Sequence, residues 1–194
     1  IETVGKPDIT VIPQDDGFLI TAKVKGKARE IKRAKVEFMA KVLCNGTDDK
    51  FETDRFNTND QLYLSFQSPT DGYCLVYLID ESQKAYCLLP YRQQTTGNFP
   101  VKANRRYVFF SPKDADRSIA SLVDEYILNS QESKEYNQLY IIFSPNPLTK
   151  TIDRSTTVLM PRETTVENFR KWLARCRRND LDMAVEVKNI VIKG

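Results

Sequence analysis

Across 194 residues there is no histidine, so chemistry would have to be built from carboxylates, thiols or cations rather than from the commonest general base and metal ligand. The 26 Asp and Glu residues contain enough acid for a carboxylate-dependent hydrolase, which needs only two carboxyls at a fixed gap. A linear sequence does not single out that pair. Cys44, Cys74, Cys87 and Cys176 have neither the spacing of a zinc site nor that of a dense disulfide framework, and they read as free structural thiols. Gly26-Lys27-Ala28-Arg29 lacks the upstream glycine of a phosphate-cradling loop, and there is no G-x-S-x-G or C-x-x-C. Asn45-Gly46-Thr47 satisfies the glycosylation sequon, but Asn-Gly is also a favoured turn, and a turn is the reading adopted. These motifs ask for no cofactor and no metal, and the chain reads as a non-catalytic binding or assembly module; a carboxylate-dependent hydrolase is the alternative.

Two places carry residue types suited to recognition. Tyr91 to Pro100 (YRQQTTGNFP) is a polar stretch between apolar runs, hence an expected surface loop, and its Tyr91, Arg92 and Phe99 are the candidate binding residues because such side chains anchor interfaces. Arg170, Lys171, Arg175, Arg177 and Arg178, with Trp172 among them, form a basic face that could meet an anionic polymer or nucleic acid; a solvated helix face is the plainer reading. The net charge of +3 is spread along the chain, so no nucleic acid is expected as partner.

The elements that must position these residues are mostly strands. Phe56 to Tyr91 reads as three short strands in a β-meander: Leu62, Leu64 and Phe66 alternate, Ser68 to Gly72 is a turn cluster, and Tyr73–Ile79 and Ala85–Leu89 flank a hairpin turn. A turn centred on Ser82-Gln83 sets Leu78 opposite Cys87 and keeps Cys74 away from it. Phe18 to Val24 alternates as a strand. Lys27 to Leu43 fits both a helical stripe through Ile31, Ala34, Phe38 and Val42 and strand alternation, and a strand is assigned to its second half. Arg106–Ser111 and Gln138–Ser144 are aromatic, β-branched core strands. Asp114–Leu128 has mixed spacing, and Asn129–Tyr136 reads as a mobile polar excursion.

The clearest helix is Thr165–Arg178, because Val166, Phe169, Trp172, Leu173 and Cys176 recur every three or four residues. Thr164 and Glu167 suggest a capping box, and Arg175, Arg177 and Arg178 suit its C-terminal end. Trp172 should lie buried against a sheet, and a strand over Leu181–Ile192 should follow. The fold class is therefore mainly β (α+β): an antiparallel, Ig-like β-sandwich with one C-terminal amphipathic helix packed on the sheet. Residues 1–34 form an N-terminal strand segment and 35–194 the sandwich, as one unit. No apolar run approaches the roughly 20 residues that cross a bilayer, and the start at Ile1 reads as a trimmed or processed product.

LYLSFQSPTDGYCLVYLID, the CLLPY after the hairpin, LYIIFSPNPLTK and FRKWLARCRRND, in that order, resemble the bacterial domain of unknown function family number 4384 over roughly Lys35 to Ile192. Gly72-Tyr73 and Leu88-Leu89-Pro90 are the steps that carry the likeness. The resemblance implies a β-sandwich body and an extracytoplasmic, cell-envelope setting in Bacteroidetes-type bacteria, with an unknown protein or envelope component as partner. It supplies no catalytic residues.

Overall fold

Among the described residues, period-two runs of β-branched and aromatic residues become strands nearly throughout, and the clearest 3.6-period stripe becomes the helix. The computed structural model describes residues 2–3, 8–14, 17–23, 26–27, 36–94, 97–149 and 161–194, and the chain divides into Ile1–Lys32 and Arg33–Gly194. The first unit holds β1 (Glu2–Thr3), β2 (Asp8–Gln14), β3 (Gly17–Lys23) and β4 (Gly26–Lys27). β2 and β3 pair antiparallel from Asp8↔Lys23 to Gln14↔Gly17. β3 is the strand expected from Phe18; β2, interrupted by Pro13 and lacking clean alternation, was not anticipated.

The second unit runs β5 (Met39–Cys44), β6 (Arg55–Asn57), β7 (Asp60–Gln67), β8 (Gly72–Ile79), β9 (Lys84–Leu89), β10 (Phe99–Val101), β11 (Tyr107–Phe109), β12 (Tyr126–Leu128), β13 (Glu135–Ser144), β14 (Arg162–Thr165), α1 (Val166–Asn179) and β15 (Ala184–Lys193). The larger sheet has the order β14-β9-β8-β13-β15-β6, with β10 also on β8; in the smaller, β7 is flanked by β5, β11 and β12. Pairing is antiparallel except between β15 and β6. The two sheets close a core in which Leu62, Leu64 and Phe66 meet Val76, Ile141 and Phe143, and Phe66 lies 6.0 Å from Phe143 and 5.9 Å from Phe109 between ring centroids. The result is a β-sandwich with one helix.

The helix covers the far face of the larger sheet. Phe169, Trp172, Leu173 and Cys176 pack there with Leu75, Tyr77 and Ile142, so β8 is buried on both sides, which is why Cys74 to Tyr77 reads as an unbroken apolar run. Trp172 is 2% exposed and donates its indole N–H to the Thr149 carbonyl at 2.6 Å. Burial of the tryptophan agrees with the helical periodicity.

Four expectations need correction. The β-meander does not form: β7 and β8 belong to different sheets, and Ser68–Asp71 carries the chain between layers. That crossing is pinned by Asn104 N–H to the Ser68 carbonyl (2.7 Å) and by Ala103 N–H and the Lys102 ammonium to Asp71 (2.8 Å each). It lets the apolar faces of both strands look into one core instead of lying side by side. The hairpin closes one residue away from the expected register, with Tyr77, not Leu78, opposite Cys87. Its turn is a three-residue loop in which Gln83 takes φ 63°, as a type I turn with a left-handed third residue requires.

The helix cap is Thr165, whose hydroxyl accepts from Asn168 N–H at 3.2 Å, and not Thr164. Thr164 is occupied as a buried β14 residue opposite Ala85, and Glu167 turns to Lys171 at 2.6 Å. Glu135 and Tyr136, read as the end of a polar excursion, begin β13, because pairing with Ile192 and Val191 recruits them. Within Lys27–Leu43 the expected strand is β5; residues 28–35, where the helical alternative rested in part, lie outside the described residues.

Candidate functional site

The loop residues proposed for recognition point inward. Tyr91 and Phe99 are 2% and 4% exposed, members of the main core, with ring centroids 5.8 Å apart in an edge-on arrangement. The Tyr91 hydroxyl accepts from the N–H of Phe110, a residue held at φ 68°, where bulky side chains are rare; burial pushes its pKa up. Arg92 is bound by Asp124: its backbone N–H and Nε donate to the carboxylate at 2.6 and 2.8 Å, and Nη2 lies 2.8 Å away, with the Asp124 side chain only 6% exposed. The candidate site at Tyr91, Arg92 and Phe99 is thus corrected to a core staple. Phe99 alternates with Val101 in a strand too short to announce itself.

The basic helix face is different. Lys41, Lys84, Lys102, Arg105 and Arg106 each hold a carboxylate at 2.6 to 3.5 Å, whereas Arg170, Arg175, Arg177 and Arg178 have no carboxylate partner among the described residues. Arg170 and Arg177 stand two turns apart, about 10 Å along the axis, on the flank beside the buried stripe. Burial lowers the pKa of the Arg177 guanidinium, and its Nε is buried with no hydrogen-bond partner.

That flank borders the part of the larger sheet that α1 leaves partly uncovered. Tyr136, Gln138 and Tyr140 share one face of β13, with Val191, Asn189 and Val187 opposite them on β15; Tyr140 packs edge-on against Phe169 of α1, and the strip opens toward Tyr136. Tyr136 is 54% and Val187 40% exposed. Arg170, Tyr136, Gln138, Asn189 and Glu81 line a recess of about 270 Å³ at the hairpin end of this strip. Gln138 donates to Asn189 Oδ1 at 3.3 Å, which leaves the Gln138 carbonyl and the Asn189 NH2 for another molecule. Glu81 accepts from Tyr136 N–H at 2.8 Å and closes the end with negative charge. Tyr136, Gln138 and Asn189 were not singled out from sequence; the available signal was the heptad spacing of Arg170 and Arg177 beside the apolar arc.

The remaining titratable groups follow structural logic. All four cysteines are unbridged, and burial, then Asp60, pushes the Cys44 thiol up to about 11. Among the described residues no three His, Cys, Asp or Glu side chains converge as a metal site, and no helix is long and apolar enough to cross a membrane. Compared with protein-family models, curated proteins and solved structures, the chain finds no match in any of the three.

Proposed function

We propose that this protein is a binding module whose site is the open groove between the Arg170–Arg177 flank of α1 and the uncovered face of β13 and β15, and that its ligand is anionic. The carrying observation is a contrast in pairing: Lys41, Lys84, Lys102, Arg105 and Arg106 hold carboxylates, while Arg170 and Arg177 border the recess end of the sheet and hold none among the described residues. Arg177 is partly desolvated without a counter-charge, which is costly, and an incoming anion relieves that cost; Arg170 is exposed and free to turn toward a ligand.

The non-catalytic part of the reading rests on the sequence, which has no histidine and no recognised catalytic motif. Asp49, Asp60, Asp71, Asp116 and Glu167 are shifted down by ion pairs or by hydrogen bonds to backbone and side-chain donors and serve the fold. The family resemblance adds an extracytoplasmic, envelope-associated setting to the proposal, which fractionation of the native organism tests.

The test is a backbone-amide NMR map of the chain titrated with oligogalacturonide, polyglutamate and a single-stranded oligonucleotide at physiological salt. At least one probe should shift Tyr136–Tyr140, Val185–Asn189 and the Arg170–Arg177 flank together. Shifts confined to other surfaces, or none with any probe, overturn the site.

A further inference from the structure

We infer that the groove is built for an acidic polysaccharide, a chain of pyranose rings bearing carboxylates; this rests on the binding reading above and names the class of ligand. Three features of the strip converge on it. An exposed tyrosine offers an apolar ring with a polar edge, the complement of a sugar whose C–H groups form a face and whose hydroxyls form a rim. Tyr136 supplies that ring, with the Lys134 ammonium 4.7 Å from its centroid. The bonded Gln138–Asn189 pair holds one acceptor and one donor group ready beside it, which suits vicinal hydroxyls.

Arg170 supplies the forked donor that binds a carboxylate bidentately at the recess, and Arg177, about 10 Å further along the helix axis, offers a second such donor to a chain that runs along the flank. Arg170 shares the recess with Tyr136, Gln138 and Asn189. Arg177 stands a heptad further along the same flank, toward Tyr140.

The same geometry disfavours other polyanions. Nucleic acid carries a charge at every nucleotide, yet the recess ends in Asp80 and Glu81, which would face that dense charge directly; a polysaccharide can turn hydroxyls toward them. A peptide adding a strand needs an open sheet edge, and the groove floor is a sheet face whose β13 backbone is paired on both sides to β8 and β15.

The deciding experiment is calorimetric titration of the chain with a defined oligogalacturonide, its fully methyl-esterified form, polyglutamate and a single-stranded oligonucleotide at physiological salt. The free acid should bind, and esterification should abolish detectable heat. Arg170→Ala/Arg177→Ala and Tyr136→Ala should each weaken binding about tenfold or more, while Arg175→Ala/Arg178→Ala on the outer helix face stays within about twofold of the parent. Thermal melts of all variants confirm that folding is retained. Equal binding of the ester, tighter binding of the oligonucleotide or polyglutamate, or equal loss in the outer-face variant overturns the sugar assignment. If the oligonucleotide or polyglutamate binds and Arg170→Ala/Arg177→Ala removes that binding, the groove stands and only the sugar class falls. If no probe binds, both readings fall.

Discussion

Arg92 and the pair Arg170 and Arg177 are the same residue type in opposite circumstances. Arg92 follows a buried tyrosine and is held by a nearly buried aspartate through three contacts, so its donors are directed into the fold. Arg170 and Arg177 border a partly uncovered sheet face and form no ion pair among the described residues, although Asp80 and Glu81 line the same recess as Arg170. The residue type is not what marks a recognition site. The balance of partners is, because a donor satisfied internally has little left for a ligand, whereas one without an internal partner keeps its donors for an incoming anion.

The comparison is broken most severely through the helix itself. Trp172→Ala should cost about 3 to 5 kcal/mol through cavity formation and lost transfer energy, measured by denaturant unfolding, and it should weaken any ligand of the groove because α1 forms its wall; an unchanged midpoint would show that the helix is not docked as described. Next is Asp124→Ala. It removes all three contacts that Asp124 makes with the partly buried Arg92 and should cost about 3 kcal/mol, the low end for breaking a buried pair, without altering groove binding.

Gly72→Ala probes the opposite end of the larger sheet. A Cβ there would fall 2.4 Å from the Ser144 carbonyl oxygen and 2.7 Å from the Phe143 ring, so a loss of about 1 to 3 kcal/mol is expected, again with groove binding intact. Arg170→Ala/Arg177→Ala should move stability by only about 0.5 kcal/mol either way while it removes the site.

The smallest effect is in acid. Asp49, held down first by Lys41, and Asp71 and Asp116, held down first by Lys102 and Arg105, have folded pKa values below their unfolded ones. Their contribution is present above the ordinary aspartate value and is lost as pH falls through the folded value. Thermal midpoints should therefore decline slightly below about pH 4, less so in high salt. The Arg170→Ala/Arg177→Ala variant should follow the parental acid profile, since those arginines hold no carboxylate.

The hairpin, the terminal helix and the closing strand were legible because each repeats a single period long enough to be recognised. A two-sheet sandwich was expected, but the assignment of β7 and β8 to different sheets was not legible. β7 is buried from Leu62 through Phe66 without a break, so its alternation carries little contrast, and a short polar connection looks the same whether it turns a hairpin or crosses between layers. The groove was legible only in its arginines. Tyr136, Gln138 and Asn189 meet through β13–β15 pairing, a long-range register that no local pattern announces, while Tyr91 and Phe99 misled because loop position suggested exposure for rings that the core had claimed.

The parallel partnership of β6 and β15, with Arg55 beside Val191 and Asn57 beside Lys193, bears on how the protein is made. β6 leaves the ribosome early, and its mate arrives only after nearly the whole second unit has been synthesised. Until Ala184–Lys193 emerges, β6 lacks its neighbour and β13 keeps one side unpaired, two sticky borders on a nascent sandwich. Final assembly of the larger sheet therefore waits for the last strand, and a ribosome stalled shortly before that strand would hold a chain prone to pairing with its neighbours.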